Sequence, residues 1–487
     1  VLGACAPVRP GYPPPARLDA IEAALAAHIA ILASDDFEGR RPGTDGETKT
    51  LRYLARKWQD AGLVSGTNDP ANPWFAPVDL IMATPATGRV TFADRGRAVA
   101  LPEGAVTVLS WQARDLVSRV PTVFLNHDAA IEPLELAGRG VVVSLEGAEP
   151  FERVEKLSAS GAAAVVVVGT REQFDPVIAA RREGAYRLGG EDRPLAPIVL
   201  VEREAALREP GVARLVDNLR DASGSEGVAV PLPYTLSLDT RTDLTTVRTH
   251  NLIARLPGRD PAAGAVLLLA HWDHFGTCGP VDAADRLCNG AVDNASGLAM
   301  LTEIAGTLSA GPKLDRDVYF LATTAEEWGL LGAYAFTREP PVPLDTIVAA
   351  FNLDTSALAE RGAPVALVGE GTGPLDAEVL EIVAAAGRRV AGRDIAREYV
   401  RRQDGWALIQ ADVPTLMVSS SFADRALLER FTRERYHEAG DKPDGVELGG
   451  AAQDLVLHLA LVRHFAQAAT HPGPSRDMPG QQNPGAP

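Results

Sequence analysis

Ala265-Val266-Leu267-Leu268-Leu269-Ala270-His271-Trp272-Asp273-His274 runs from an uninterrupted apolar stretch straight into side chains that bind metals or carry protons. A short apolar run bounded by polar residues predicts a strand buried on both faces, the kind found in sheets covered by helices. The arrangement recurs downstream. Asp317 to Thr323 leads into Ala325-Glu326-Glu327, Ile347 to Leu353 leads into Asp354, and Pro414 to Val418 is a later strand run. Between the first two, Ala295 to Leu308 has helical apolar spacing. This alternation, strong from about Thr246, predicts an α/β fold built on a mixed, twisted sheet flanked by helices. In open α/β sheets, active sites collect at the C-terminal ends of the strands.

Toward the N-terminus, Leu18 to Ser34 has helical apolar spacing, Asp35 to Gly43 reads as a turn-rich loop, and a second helix is expected from about Thr48 to Ala61, ended by Gly62. From about Thr91 to Tyr234 the texture changes to short β-rich runs: Val106 to Leu109, Thr122 to Leu125, Val141 to Val143 and Ala164 to Val168. A helix-like Glu152 to Ser160 lies between the last two, so this segment reads as a small inserted α/β module. It has few His and no dense carboxylate cluster, and no catalysis is expected from it. The chain thus divides into a linker (1–17), a first part of the main domain (18–90), the insert (91–240), the rest of the main domain (241–470) and a Pro/Gly/Gln-rich tail expected to be disordered (471–487).

A length of 487 residues fits two or three domains. Lys and Arg number 47 against 64 Asp and Glu, a formal charge of −17, which repels phosphate backbones and argues against a nucleic-acid partner. No apolar run approaches the roughly 20 residues that a membrane-spanning helix needs. Val1-Leu2-Gly3-Ala4-Cys5 reads like the end of a bacterial lipoprotein signal, with Pro7 to Pro15 as a spacer. On that reading the chain begins inside its own signal and Cys5 is lipidated; the plain alternative is a chance Cys near an end. The expectation is an exported protein of the periplasm or outer envelope, lipid-anchored or secreted. Cys278 and Cys288 share one loop and either close a short disulfide in an oxidising compartment or stay free thiols near a metal.

The residues that carry chemistry fall in separate segments: His271-Trp272-Asp273-His274, Asp293-Asn294 within Gly290 to Gly297, Glu326-Glu327, Asn352-Leu353-Asp354 and Tyr436-His437. Alone, each has an ordinary reading: a surface His-x-Asp pair, a solvated Glu-Glu helix face, a capping Asp, a partly buried His. Together they offer imidazole nitrogens and carboxylate oxygens in the proportion that a pair of zinc ions sharing one carboxylate requires. No Gly-x-Ser-x-Gly elbow supports a serine hydrolase, and Asp441 stands where a His-Glu-x-x-His motif starting at His437 would need its second His.

In chain order, His271 to Gly276, Gly290 to Gly297, Thr324 to Gly332, Asn352 to Asp354 and Arg435 through Asp441 resemble the M28 family of metallopeptidases. Phe37-Glu38-Gly39-Arg40 with Pro42-Gly43 resembles that family's N-terminal lead-in, and Gly138 to Val143 followed by Phe151 to Val168, with Gly161-Ala162-Ala163, resembles a protease-associated (PA) domain. The resemblance implies a zinc-exopeptidase (phosphorylase/hydrolase-like) fold and a dinuclear zinc aminopeptidase. Two Zn²⁺ ions would be held by His271, Asp293, Glu327, Asp354 and His437, with Asp293 bridging. His271 and Asp354 complete one site, Glu327 and His437 the other. Glu326 is implied as general base for a metal-activated hydroxide, Asp273 orients His271, and Tyr436 hydrogen-bonds the developing oxyanion. Peptides are the implied substrates, and aminopeptidase is preferred over carboxypeptidase or dipeptidase by family frequency. Departures from the family pattern are Trp272, Thr355, and Arg402-Gln403-Asp404-Gly405-Trp406 in place of a Ser-Asp-His. The alternatives are a single-zinc glutaminyl cyclase and a non-catalytic receptor or scaffold ectodomain of the same fold. Retention of all five ligands favours the peptidase over both.

Overall fold

The computed structural model describes residues 15–126, 129, 131, 133–145, 150–190, 195–207, 229–279 and 282–472. Cys5, the Pro-rich stretch up to residue 14 and the tail beyond residue 472 lie outside the described residues. The chain forms two compact units, one of residues 1–78 and 248–487, the other of Asp79–Val247.

The larger unit is organised by a mixed sheet. Six of its strands are β1 (Leu244–Leu256), β2 (Ala265–His271), β3 (Asp317–Thr323), β4 (Ile347–Asn352), β5 (Ala366–Val368) and β6 (Thr415–Ser419), adjacent in the order β5-β6-β4-β2-β3-β1. β6, β4, β2 and β3 are mutually parallel, while β5 and β1 are antiparallel to their neighbours. Every residue of β2, β3 and β4 is buried, which is why these strands read as unbroken apolar runs rather than alternating ones. Their side chains still alternate between faces. Val266, Leu268 and Ala270 join one core, and Ala265, Leu267 and Leu269 join the other.

The first core is covered by α1 (Pro15–Leu32), α2 (Asp45–Asp60), α3 (Ser296–Ser309), α4 (Asp376–Ala385) and α6 (Gly449–Phe465). Helix α5 (Arg425–Glu434) lies in another cluster with Met417 and Phe422. Buried Leu51, Leu54, Ala55 and Trp58 recur on one stripe of α2, as a helix facing a core must. This helix begins at Asp45, three residues before the start expected from sequence. Gly46 in its first turn is required, because a Cβ would lie 2.3 Å from the carbonyl oxygen of Phe37.

The smaller unit holds an eight-stranded sheet in the order 97–100, 88–94, 229–241, 114–125, 140–144, 164–169, 198–202, 106–109. The central strands from 114–125 to 198–202 are parallel. Val142, Val166 and Val199 face one core and Val141, Val165 and Leu200 the other. The helix Arg171–Arg181 starts on a capping box in which Thr170 Oγ1 accepts from Gln173 N–H and Gln173 Oε1 accepts from Thr170 N–H. Among the described residues, no convergence of His, Cys, Asp or Glu suited to a metal lies in this unit.

Trp58 is fully buried, and its indole N–H donates to Thr302 Oγ1 at 3.3 Å. Replacement by alanine removes the largest apolar body between α2 and the sheet. Trp58→Ala is expected to lower unfolding free energy by about 3–5 kcal/mol in urea titration.

Candidate metal centre and active site

The polar residues delivered by the sheet meet at the C-terminal ends of β2, β3 and β4. His271 is the last residue of β2, and Glu326-Glu327 follow β3 after a tight turn. Asp354 follows β4, while Asp293 sits in the loop leading into α3. Nε2 of His271 lies 3.1 Å from Asp293 Oδ1 and 3.6 Å from Asp354 Oδ1. On the opposite side, Nε2 of His437 lies 3.4 Å from Asp293 Oδ2 and 2.9 Å from Glu327 Oε2. Asp293 therefore turns one oxygen to each imidazole. Donor atoms around a tetrahedral zinc with bonds of about 2.0–2.1 Å are themselves about 3.3 Å apart, close to these spacings.

The donors are aimed rather than merely near. Nδ1 of His271 faces the carbonyl oxygen of Asp273 at 3.2 Å. A carbonyl can only accept, so Nδ1 carries the proton and Nε2 is left to bind a metal. Nε2 of His271 and of His437 are buried and have no hydrogen-bond partner. Orphaned imidazole nitrogens facing carboxylates cost stability unless a cation joins them, so the residues fit a metal. Glu326 is separate from both groups, with Oε2 at 4.0 Å from His271 Nε2.

The loops are held by partners outside the donor set. The carboxylate of Asp273 accepts from the backbone N–H of Glu326 at 3.1 Å and of Glu327 at 3.4 Å. It thus braces the Glu-Glu turn, while its carbonyl holds His271. Asp441 accepts from the N–H groups of Val292 and Asp293. Asn294 donates from Nδ2 to Leu353 O and accepts from Gly297 N–H, tying the Asp293 loop to the end of β4. Gly297 is required there, since a Cβ would lie 2.2 Å from Leu353 O. Ala325, Thr355 and His437 have φ of 52°, 48° and 59°, a left-handed conformation costly for side-chain-bearing residues. All three flank or belong to the donor set.

Some residues of the site were not singled out from sequence. Arg40 is fully buried, and its guanidinium donates to the carbonyls of Trp272, Leu32, Asn289 and Gly290 at 2.6–2.9 Å. It joins the loop after β2 to the loop before Asp293. Burial lowers its pKa to about 10 against the opposing pull of Asp293, Asp441, Asp273 and Glu327, and it stays charged at neutral pH. His274 is buried and pairs through Nδ1 with Glu327 Oε1, which leaves Oε2 of Glu327 facing His437. Asp404 is buried and accepts from Thr323 Oγ1. Arg40, His274, Asp404 and Asp441 all lie in stretches that the sequence marks, but their partners are distant in the chain. No local signal separates them from ordinary surface residues.

Around the donors, Cys278 and Cys288 are disulfide-bonded across a short hairpin in which Gly276 pairs with Cys288 and Thr277 with Leu287. Phe275, at its base, meets the His437 ring edge-on at 4.5 Å. A pocket opens over Asp293, Glu326 and Asp354, walled by Tyr399, Met417, Phe422, Leu428, Phe431 and Tyr436.

Burial pushes the Asp273 carboxyl up to about 8 and that of Asp404 up to about 6, with His271 opposing both. Burial penalises the charge of His271, but Glu326, Asp293 and Asp354 outweigh it and hold the imidazole well above its ordinary pKa. Burial likewise raises Glu326 well above the usual carboxylate range. Tyr436 is raised well above its ordinary value by burial and by Asp293 and Glu327, so its hydroxyl keeps its proton.

A buried centre of imidazole and carboxylate donors at the strand ends of an α/β sheet defines the class of metal-dependent hydrolases. The segment 251–460, which contains all these donors, matches the model of Peptidase family M28. The fold resembles that of an aminopeptidase from Aneurinibacillus sp. strain AM-1, with a TM-score of 0.54 and 16% identity over 91% of this chain and 93% of that one. It also resembles a zinc aminopeptidase from Bacillus subtilis, with a TM-score of 0.51 and 17% identity over 92% and 96% of the two chains. No curated protein matches the sequence.

Two outcomes follow. Arg40→Met leaves buried carbonyls without donors and carboxylates without their cation; it is expected to cost about 3–5 kcal/mol in denaturant unfolding and to weaken zinc retention in equilibrium dialysis. The metal-stripped chain is expected to lose stability as pH rises. Asp273, Asp404 and His271 all have folded pKa values above their unfolded ones, so their contribution is full at low pH and is lost as pH climbs through the folded values. The unfolding midpoint should fall between pH 5 and 8 without metal, with Asp404 acting near 6 and Asp273 near 8. Saturation with zinc should flatten that slope.

Proposed function

We propose that the chain is a zinc aminopeptidase that holds two Zn²⁺ ions bridged by Asp293. The supporting observation is the split of Asp293, Oδ1 at 3.1 Å from His271 and Oδ2 at 3.4 Å from His437. On this reading His271 and Asp354 hold one ion and Glu327 and His437 the other. Bound zinc supplies Lewis acidity, polarising a carbonyl and making water nucleophilic near neutral pH.

The chain's residues supply proton transfer and orientation. Glu326 projects into the pocket beside the donors and takes a proton from the attacking water. Its raised pKa suits it to pass that proton to the leaving amine. Tyr436 keeps its hydroxyl proton and is positioned along the same pocket to donate to the carbonyl oxygen as negative charge develops there. Asp273 holds Glu326 in place through its backbone N–H. The walls formed by Met417, Phe422, Leu428 and Phe431 suit an apolar side chain on the residue to be removed. A free substrate α-amine needs an acidic partner beside the metals, and the site holds carboxylates outside the donor set, Glu326 among them. The Cys278–Cys288 bond supports an oxidising, exported location.

The test is metal content and cleavage of aminoacyl-p-nitroanilides beside their N-acetylated forms. The proposal expects about two zinc ions per chain and cleavage of free-amine substrates only. Glu326→Gln should retain both ions and lose at least about 100-fold in kcat, the lower end of what a general base contributes. One zinc with no cleavage, or a mutant as active as the parent, would overturn it.

A further inference from the structure

Away from the active site, Glu378 on α4, His464 in the last turn of α6 and His471 just beyond that helix turn their donor atoms to one point. Nε2 of His464 lies 2.6 Å from Glu378 Oε2, and Nδ1 of His471 lies 3.1 and 3.2 Å from Oε1 and Oε2. The chain is bent to achieve this. Residues seven apart on a continuous helix are about 10 Å apart along its axis. Here α6 stops at Phe465, the N–H of His471 donates to Gln467 O at 3.0 Å, and the two imidazole centroids come to 6.5 Å. The His471 ring is also held edge-on against Phe465 at 5.0 Å.

We propose that Glu378, His464 and His471 form a second, separate site for a divalent cation of the zinc type. Two imidazoles and one carboxylate are a three-ligand set that zinc completes with water, and nitrogen donors disfavour magnesium and calcium. The side chains are 25%, 35% and 17% exposed for His464, Glu378 and His471, which leaves the point accessible to an entering ion and to that water. With neutral imidazoles the cluster carries only the charge of Glu378. The C-terminal end of α6 adds a partial negative charge, and both favour a cation. Without a metal, one N–H from each ring satisfies Glu378; when the ion takes the place of those two protons, each moves to the other nitrogen of its own ring. Binding would fasten the segment after α6 to α4 and stabilise the end of the domain.

The full chain, stripped of metal, is titrated with Zn²⁺ by isothermal calorimetry, and bound metal is counted by elemental analysis. His471→Ala and Glu378→Gln are run in parallel. The parent is expected to bind one more zinc equivalent than either variant, and saturating zinc should raise its Tm further than theirs. Peptidase activity should be the same in all three. His471 lies beyond the last helix, and the readout is the change on adding zinc, so the lost contact with Phe465 affects both arms of the comparison alike. Equal zinc counts and equal Tm shifts in parent and variants would overturn the proposal and leave a hydrogen-bonded clasp only. The comparison is a difference between parent and variant, so it stands whatever number of ions the active centre holds.

Discussion

Mutual repulsion of carboxylates in a dry site is the constraint on which the rest of this molecule depends. Asp273, Asp293, Asp354, Asp404 and Asp441 are all buried, and Glu326 and Glu327 are nearly so. An uncompensated charge of this kind costs several kcal/mol per group even after relaxation. The chain answers with a buried guanidinium at Arg40, with backbone N–H groups directed at Asp273 and Asp441, and with imidazoles set against Asp293 and Glu327. What these leave uncompensated is what a metal would neutralise. The bare centre recruits protons instead, which is why His271 and Asp273 hold theirs to unusually high pH. Metal uptake at His271 therefore exchanges the Nε2 proton for a cation.

The fold makes that concentration of charge bearable by fixing where each group stands. Four parallel strands, buried on both faces, end at one edge, and short loops there carry the donors. Their positions are over-determined: Asn294 ties the Asp293 loop to the end of β4, Asp441 holds the same loop from the other side, and Arg40 joins it to the loop after β2. The left-handed backbone at Ala325, Thr355 and His437 persists because those ties outweigh its local cost.

The sequence made the strands and their cargo legible because a strand buried on both faces has no polar alternation to blur it. Asp317–Thr323 could be read to the residue, and the polar group after each run marked a strand end. His271, Asp293, Glu327, Asp354 and His437 emerged through the family resemblance that their order carries. Arg40 was not legible as a brace, because its partners are carbonyls of residues far apart in sequence. Nor was the role of Asp441, whose contacts are backbone N–H groups of a distant loop. The start of α2 lies at Asp45 rather than the expected Thr48, and Gly46 in its first turn makes a close approach to Phe37. The limits of the smaller unit fall within the strands Phe75–Ala83 and Leu244–Leu256, where composition marks no linker.

The central claim is that Asp293 stands between two metal ions. Its most direct test is anomalous diffraction above and below the zinc edge from crystals of the metal-loaded chain. The account predicts two peaks about 3.5–4 Å apart, one beside His271 and Asp354 and the other beside His437 and Glu327, with Asp293 between them. A single peak, or none near Asp293, would contradict it.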